Sequence, residues 1–574
     1  MPETRHRSPY FRGEAMSSQR RVTSTFVLWL LLALVTSPDP SAATRTPAQV
    51  PGVEAALQRI VNSAAGLPSM RLTSVEHRQL VALYGAGEDW LLWVDASGRH
   101  GRNAHDAIVL LNAAANDGLD PSDYDVRGIA TLASRLADRS SAVASDIAAF
   151  DVALSVNTLR YLAHLHLGRA DPRTMGFRVP NREPHDFAGP LRAALARQRI
   201  PALTEQFTPS IPLYRHIRAA LTRYRTLAAD PVLQSFALPE VTVRPGDPYA
   251  GAAELSRLLE ALGDVPALDS GRTAAPVYER RVVEGVKRFQ LRHGLEADGV
   301  LGKATRAALT VPLSRRARQI ELALERLRWV PDMGENKFLV VNIPMFRLWG
   351  IQPSAAPFST EVIVGRALNT RTPVLVEEME HVIFRPYWNI PSSIVRYEIM
   401  PAVRRNPVYL QRNNMEIVDG QSDDARIVPA TVTNLERAQQ GALRIRQRPG
   451  SNNSLGLVKF VFPNDANVYM HGTPAQALFS LPRRDFSHGC IRVADLAGLT
   501  QWVLSDLPEW TQDRILEAMN GDEPVRVNLP HSIPVILFYV TAVVTPVDGG
   551  VHFVEDIYGH DARLDAYLTH RSES

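Results

Sequence analysis

The stretch NVYMHGTPAQALFSLPRRDFSHGCIRV (467–493) holds the chain's single cysteine, Cys490, with His471 nineteen residues before it and His488 two before it. A thiol at neutral pH reacts as thiolate, and a nearby base or positive charge is needed to form it. His471, His488 and Arg492 are the candidates. If the backbone is extended here, His488 and Arg492 flank Cys490 at i−2 and i+2 on one face. Gly489 allows a carbonyl substrate close to backbone N–H groups, as an oxyanion site requires. The bland alternative is a small buried hydrophobe. A polar, basic, glycine-containing surrounding argues against apolar burial. One cysteine also excludes an intramolecular disulfide and any cysteine-built zinc or iron–sulfur site.

Around this stretch lie short β-branched and aromatic runs, FLVVNI (338–343), FRLW (346–349), 360–364, 381–384 and 535–544, broken by Pro and Gly. They predict an antiparallel β domain over 335–550. Residues 391–455 interrupt it with a helix at 394–403, the polar pair Asn413-Asn414 and a loop at 449–454. An insertion of that kind, entered at Tyr387 and Trp388, is expected to act as a lid. Residues 551–574 read as a C-terminal tail.

Upstream, 76–240 is alanine- and leucine-rich with helical periodicity and predicts an all-α scaffold. Its apolar faces are Ile108, Leu111 and Ala115 in 104–117, and Leu154, Leu159, Leu162 and Leu165 before Gly168. His164 and His166 fall on opposite sides of a helix, a pattern of packing or solvation, not of a metal site. Residues 250–312 predict a small three-helix module. Leu258, Leu262, Val282, Val286 and Phe289 supply its core, Gly294, Asp298-Gly299 and Gly302 its turns, and Thr305 a cap for the last helix.

A length of 574 residues suggests three or four domains. Lys+Arg 63 against Asp+Glu 60 gives +3, too balanced for a nucleic-acid partner. With 45% apolar and 21% charged residues, wholesale disorder and a many-helix membrane protein are excluded. Arg5, Arg7, Arg12, Arg20 and Arg21 precede the apolar run FVLWLLLALV (26–35), followed by Pro38, Pro40 and Ser41-Ala42-Ala43. The run is short for a membrane span, so 1–43 is expected to be a secretory signal peptide, with an uncleaved N-terminal membrane anchor as the alternative and Met16 as a second candidate start. Residues 44–75 read as a linker.

The phrase H-x15-S-H-G-C-I-R, His471 to Arg492, resembles the signature of the YkuD-type L,D-transpeptidase catalytic domain. VVNIPMFRLW, PYWNIPSSIVRYEIMP, RNNMEI, LGLVKFVFPN and DIYGHDARL resemble its large, multi-domain YcbB-like branch, as does NDGLDPSDY in the helical part. Phe289-Gln290, His293-Gly294-Leu295, Asp298-Gly299, Gly302 and Thr305 resemble a peptidoglycan-binding module. The resemblance implies a multi-domain protein: an all-α scaffold, that module, and a β-rich α+β catalytic domain with a helical lid insertion.

By position, the resemblance makes Cys490 the nucleophile and His471 the general base, with the Gly472 carbonyl orienting the imidazole. Backbone N–H groups of His488, Gly489 and Cys490 are expected to form the oxyanion site. Arg492, Ser487, Tyr469 and Trp388 are expected to contact substrate. Gly472 stands where the branch more often has an acidic residue, a change that a backbone carbonyl role survives. The expected activity is attack on the bond between the diamino acid at position 3 and D-alanine at position 4 of a peptidoglycan stem. A thioester is then resolved by a second stem's amine into a 3→3 cross-link, in the periplasm and without cofactor or metal. Carbapenem-type β-lactams are the expected covalent inhibitors. Water or a protein lysine as acceptor, or a non-catalytic wall-binding scaffold, are the alternatives.

Overall fold

Leu, Ile and Val at every second position fix the central sheet before any loop is considered, because alternate side chains of a strand share a face. In the computed structural model, which describes residues 51–573 apart from 64–70, 86–89, 96, 138–142, 181–184, 235–237, 267–276, 354, 369 and 546–548, that sheet has nine strands. The expected leader at 1–43 lies outside the described residues.

The strands, in chain order, are β1 (Phe338–Asn342), β2 (Arg347–Ile351), β3 (Phe358–Gly365), β4 (Leu375–Phe384) and the short β5 (Trp388–Asn389). The insertion adds β6 (Met415–Asp419), β7 (Arg426–Val428) and β8 (Arg444–Gln447). Then follow β9 (Val458–Val461), β10 (Met470–His471), β11 (Asp485–Ser487), β12 (Ile491–Val493), β13 (Val525–Phe538), β14 (Ala542–Val544) and β15 (Val551–Phe553). The large sheet runs β11-β3-β12-β10-β9-β4-β13-β1-β2.

It is mixed, where the strand pattern predicted an antiparallel domain. β1 with β13, β10 with β12, and β3 with β11 pair in parallel. The reason is connectivity: the chain reaches β13 through the helices Leu496–Val503 and Gln512–Asn520, and β12 through the long excursion after β10, so each can return in its partner's direction.

The insertion forms its own four-stranded sheet, β5-β8-β6-β7, over a small core that includes Ile399, Val403, Ile417 and Ile445. The expected helix at 394–403 is not one regular helix. Ser392–Ile394 leads into a π turn, Val395–Ile399, before Met400–Arg405. Pro401 has no N–H to return to that turn, and the ladder widens ahead of it. Tyr397 and Glu398 are left exposed on the widened turn.

In the helical scaffold, Ala144–Leu167 is apolar on nearly all sides and forms the axis against which Val53–Asn62, Ser74–Gly85, Arg102–Asn112 and Val126–Ala137 pack. The helix expected over 104–117 ends at Asn112 and tightens into a 3-10 turn, Ala113–Asp117. Its inward residues become Ala104, Ala107, Leu111 and Ala114, with Ile108 only partly buried. Asp151, inside the long helix, accepts the Tyr84 hydroxyl at 2.6 Å and the Trp93 N–H at 2.8 Å, which satisfies a carboxylate that burial pushes up to about 6.

The module's helices are Ala252–Leu262, Arg280–Arg292 and Lys303–Leu309. They share one core with the helices Pro212–Ala229 and Leu313–Leu327 and with β13, β14 and β15. Its motif residues face inward. Gln290 Nε2 donates to Asp298 at 2.8 Å and to Thr305 Oγ1 at 3.0 Å, and the Gly299 N–H donates back to Gln290 Oε1 at 2.8 Å. Thr305 is therefore an internal tie and not the expected cap; Gly302 holds the cap position with no side-chain bond. His293 stacks on Phe289 at 3.8 Å and faces Phe553, while Arg292 pairs with Asp264 and donates to the Val551 carbonyl.

Residues 551–573, expected as a tail, are instead β15 and the helix His560–Glu573. Leu564 and Leu568 are buried in the main core, and Arg563 donates to the Thr174 and Met175 carbonyls of the segment after the scaffold's long helix.

Candidate active site

Three adjacent strands lay out the chemistry. Lys459 of β9 lies opposite His471 of β10, and His471 lies beside Arg492 of β12. In-register positions share a face, so Lys459, His471 and Arg492 form one row. The alternate residues Val458, Phe460, Met470, Ile491 and Val493 are fully buried on the other face, which explains why a lysine and an arginine can occupy these strands. Tyr469 and Cys490 occupy the neighbouring positions just ahead of β10 and β12, joined where the Ile491 N–H donates to the Tyr469 carbonyl at 3.0 Å. The site thus gathers Cys490, Tyr469, His471, Lys459 and Arg492.

His471 is almost fully buried, and its Nδ1 lies 2.5 Å from the Gly472 carbonyl. A carbonyl can only accept, so Nδ1 carries the hydrogen and Nε2 keeps its lone pair. Burial, then Arg492, and also Lys459, push the imidazole down to about 3, against the opposing pull of the Gly472 and Leu455 carbonyls. The ring is neutral at any physiological pH.

Cys490 is half-buried. Burial pushes its thiol up, and the N–H and hydroxyl of Tyr469, together with Lys459 and Arg492, pull the other way. The Tyr469 hydroxyl in turn is hydrogen-bonded by Trp388, so β5, at the entry to the insertion, reaches the thiol through one tyrosine.

Between β11 and β12 the chain bends sharply, and Gly489 sits at φ 115°, a conformation that side chains rarely adopt. Ser487 Oγ holds the bend, donating to the Cys490 carbonyl at 2.6 Å and accepting the Gly489 N–H at 3.1 Å. Thr370 and Thr372 brace it from the β3–β4 connection, donating to the Ser487 carbonyl at 3.2 Å and the Gly489 carbonyl at 2.8 Å.

Three expectations change here. Ser487 is buried and makes its hydrogen bonds inside the bend, so it shapes the loop where a substrate contact was expected. The Gly489 N–H is committed to Ser487 and so is taken from the set of three N–H groups expected at the oxyanion site. The bend at Gly489 also breaks the extended geometry that put His488 and Arg492 on either side of Cys490. His488 is exposed, with Nε2 2.7 Å from Glu398 on the π turn of the insertion.

The absence of a side chain at 472 has a packing cause. A Cβ there would lie 2.8 Å from Leu496 Cδ2, and the Gly456 backbone passes directly beside it. A Cβ on Gly456 would meet the Gly472 carbonyl carbon and the Thr473 nitrogen, each at 2.6 Å. We expect Gly456→Ala to displace the carbonyl that orients His471 and to slow acylation on the order of 10²-fold with a near-native circular dichroism spectrum. An unaltered acylation rate in the folded variant would break the link between this contact and the imidazole.

Residues 336–536 match the family described as L,D-transpeptidase catalytic domain. The chain carries an L,D-transpeptidase catalytic domain. Residues 78–221 match the family described as Scaffold domain, and residues 250–309 the one described as "Putative peptidoglycan binding domain". A Haemophilus influenzae protein named "Putative L,D-transpeptidase" is 29% identical over 258 residues, 44% of this chain and 51% of that protein, so the match spans about half that relative's length.

Within the transpeptidase domain, sequence reasoning missed Lys459, Glu398, the paired threonines and Gly456. Lys459 left a trace, a lone cation inside the apolar run LGLVKFVF (455–462). Glu398 left none, since the turn that presents it depends on how Pro401 breaks a helix.

Proposed function

We propose that the chain is an exported cysteine L,D-transpeptidase acting on peptidoglycan tetrapeptide stems. The observation that carries this is the chain's only thiol, half-exposed beside a tyrosine hydroxyl, just ahead of the strand paired with the one that carries a neutral, carbonyl-oriented imidazole in the transpeptidase domain.

In the resting site the thiol holds its proton and the imidazole is neutral. As Sγ attacks the carbonyl carbon of the residue at position 3, His471 Nε2 takes the thiol proton. The oxyanion that forms is met by the His488 and Cys490 N–H groups, with Arg492 nearby. Collapse breaks the C–N bond, the proton passes from His471 to the departing amine, and D-alanine leaves with the acyl group as a thioester on Cys490. A second stem's amine then attacks the thioester and gives up a proton to His471, and the thiolate leaves, closing a 3→3 cross-link. A carbapenem-type β-lactam meets the same nucleophile and remains as an acyl adduct.

The insertion over 391–455 serves as a lid, held to the catalytic bend by Glu398 and His488. It keeps water from the thioester so that amine wins over hydrolysis. Shortening the loop at 449–454 is a poor probe, because buried Asn453 ties it to the Pro386 and Arg448 carbonyls. Glu398→Gln is cleaner. Purified tetrapeptide muropeptides with the native chain should yield cross-linked dimers by mass. Tripeptide alone would replace this reading by a carboxypeptidase, and unchanged substrate would remove the enzyme reading. With Glu398→Gln the dimer-to-tripeptide ratio should fall several-fold at an unchanged rate of D-alanine release; an unchanged ratio would remove the lid.

A further inference from the structure

Lys459 stands out because nothing expected of the site uses it. It lies in the middle of β9, opposite His471. Its Nζ sits over the Tyr469 ring, 4.1 Å from the centroid, and the hydroxyl of that same ring is hydrogen-bonded to Cys490. Among the described residues no carboxylate comes within ion-pair distance of it. A lysine with its stem in a sheet and no ion-paired carboxylate is expensive, and a nearby anion would offset that cost. Of the groups that favour its charge, the Cys490 sulfur acts first and Asp423 of the insertion second.

We infer that Lys459 is a positioning residue whose ammonium, seated on the Tyr469 ring, supplies the fixed positive charge that stabilises the Cys490 thiolate. This rests on the reading of Cys490 as the nucleophile. The charged and titratable neighbours are Tyr469 and His471 at β10, Arg492 of β12, Arg366 just past β3, His488 on the bend before Cys490, and Asp423 and Glu398 from the insertion. Arg492 is the rival cation. Burial acts against the charge of both cations, but Arg492 is opposed by Arg366 as well, whereas Lys459 sits on the ring whose hydroxyl meets the thiol. Burial first, then Arg492 and Lys459, keep the imidazole between them neutral, so the resting positive charge near the thiol comes from these two cations and not from an imidazolium.

The test uses the full chain and iodoacetamide, which reads Cys490 alone because no other thiol exists. Lys459→Met should raise the midpoint of the alkylation-against-pH curve by about one unit and slow alkylation near neutral pH about tenfold. Lys459→Gln should do the same and serves if the methionine variant does not fold. Lys459→Arg keeps the charge and should leave the midpoint in place. Midpoints within about 0.3 unit across all variants would overturn the inference, and so would an equal rise in the arginine variant, since shape and not charge would then be responsible. Alkylation does not require a thioester, so a native chain that releases no D-alanine while the variants show the expected shift would count against the transpeptidase reading and not against Lys459.

Discussion

Cys490→Ala should abolish both D-alanine release and β-lactam adduct formation, because Cys490 is the chain's only thiol. The expected result is binary. Intact-protein mass after incubation with a carbapenem should gain one acyl adduct in the native chain and none in the variant. Any adduct retained by the folded variant would move the chemistry to another residue. Ser487 is the nearest hydroxyl in sequence, yet it is buried and holds the bend through the Cys490 carbonyl. Cys490→Ser keeps shape but replaces a polarizable, acidic thiol with a weak hydroxyl. It should behave like the alanine variant to within the detection limit.

The second large effect falls on His471. Loss of a general base costs on the order of 10²–10⁴-fold, and His471→Ala should slow acylation by at least that much while thermal unfolding stays near native. His488→Ala should lose far less, since its ring engages Glu398 on the insertion. The pH profile adds a sign. Burial and Arg492 hold His471 at about 3, so its base form persists down to that pH. Acylation by the native chain should therefore show no inflection at the ordinary imidazole value of about 6.5 as pH falls. A loss of rate through that range, absent in His471→Ala, would mean the imidazole titrates normally. The reverse mutant ranking, with His488→Ala inactive and His471→Ala near normal, would transfer the base role to His488.

The proposed nucleophile and base were both readable from one stretch of 27 residues, because a thiol, its candidate bases and a glycine fall close together in the chain. The strands around them were readable as short β-branched and aromatic runs broken by Pro and Gly. What escaped depended on contacts distant in sequence. The parallel pairs arise from long crossovers that periodicity does not register. Ser487 and Gly489 looked free because a hydroxyl and an N–H advertise donors, and only the folded bend reveals that the hydroxyl is spent on the Cys490 carbonyl and the Gly489 N–H on the hydroxyl. Gly472 looked like a departure from an acidic position until the Gly456 backbone was found beside it. The module's motif was readable as a fold because Gln290, Asp298 and Thr305 bind one another. For the same reason it does not mark where a wall polymer would rest.

The module's junction with the rest of the chain carries a mechanical implication. Arg292 and His293 are locked to β15, and the module's helices close over the same apolar interior as β13, which itself runs through the transpeptidase sheet. A flexible leash would let a tethered enzyme sample every stem within its radius, with an effective concentration set by leash length. Among the described residues no leash separates the module from the sheet. An enzyme gripping a glycan strand through residues 250–309 would carry its nucleophile like a fixed jaw on a caliper. Stems at the matching spacing along the strand would be served, and those nearer or farther would be out of reach however abundant they are. The architecture would select donors by position on the wall lattice before the chemistry of the stem is consulted.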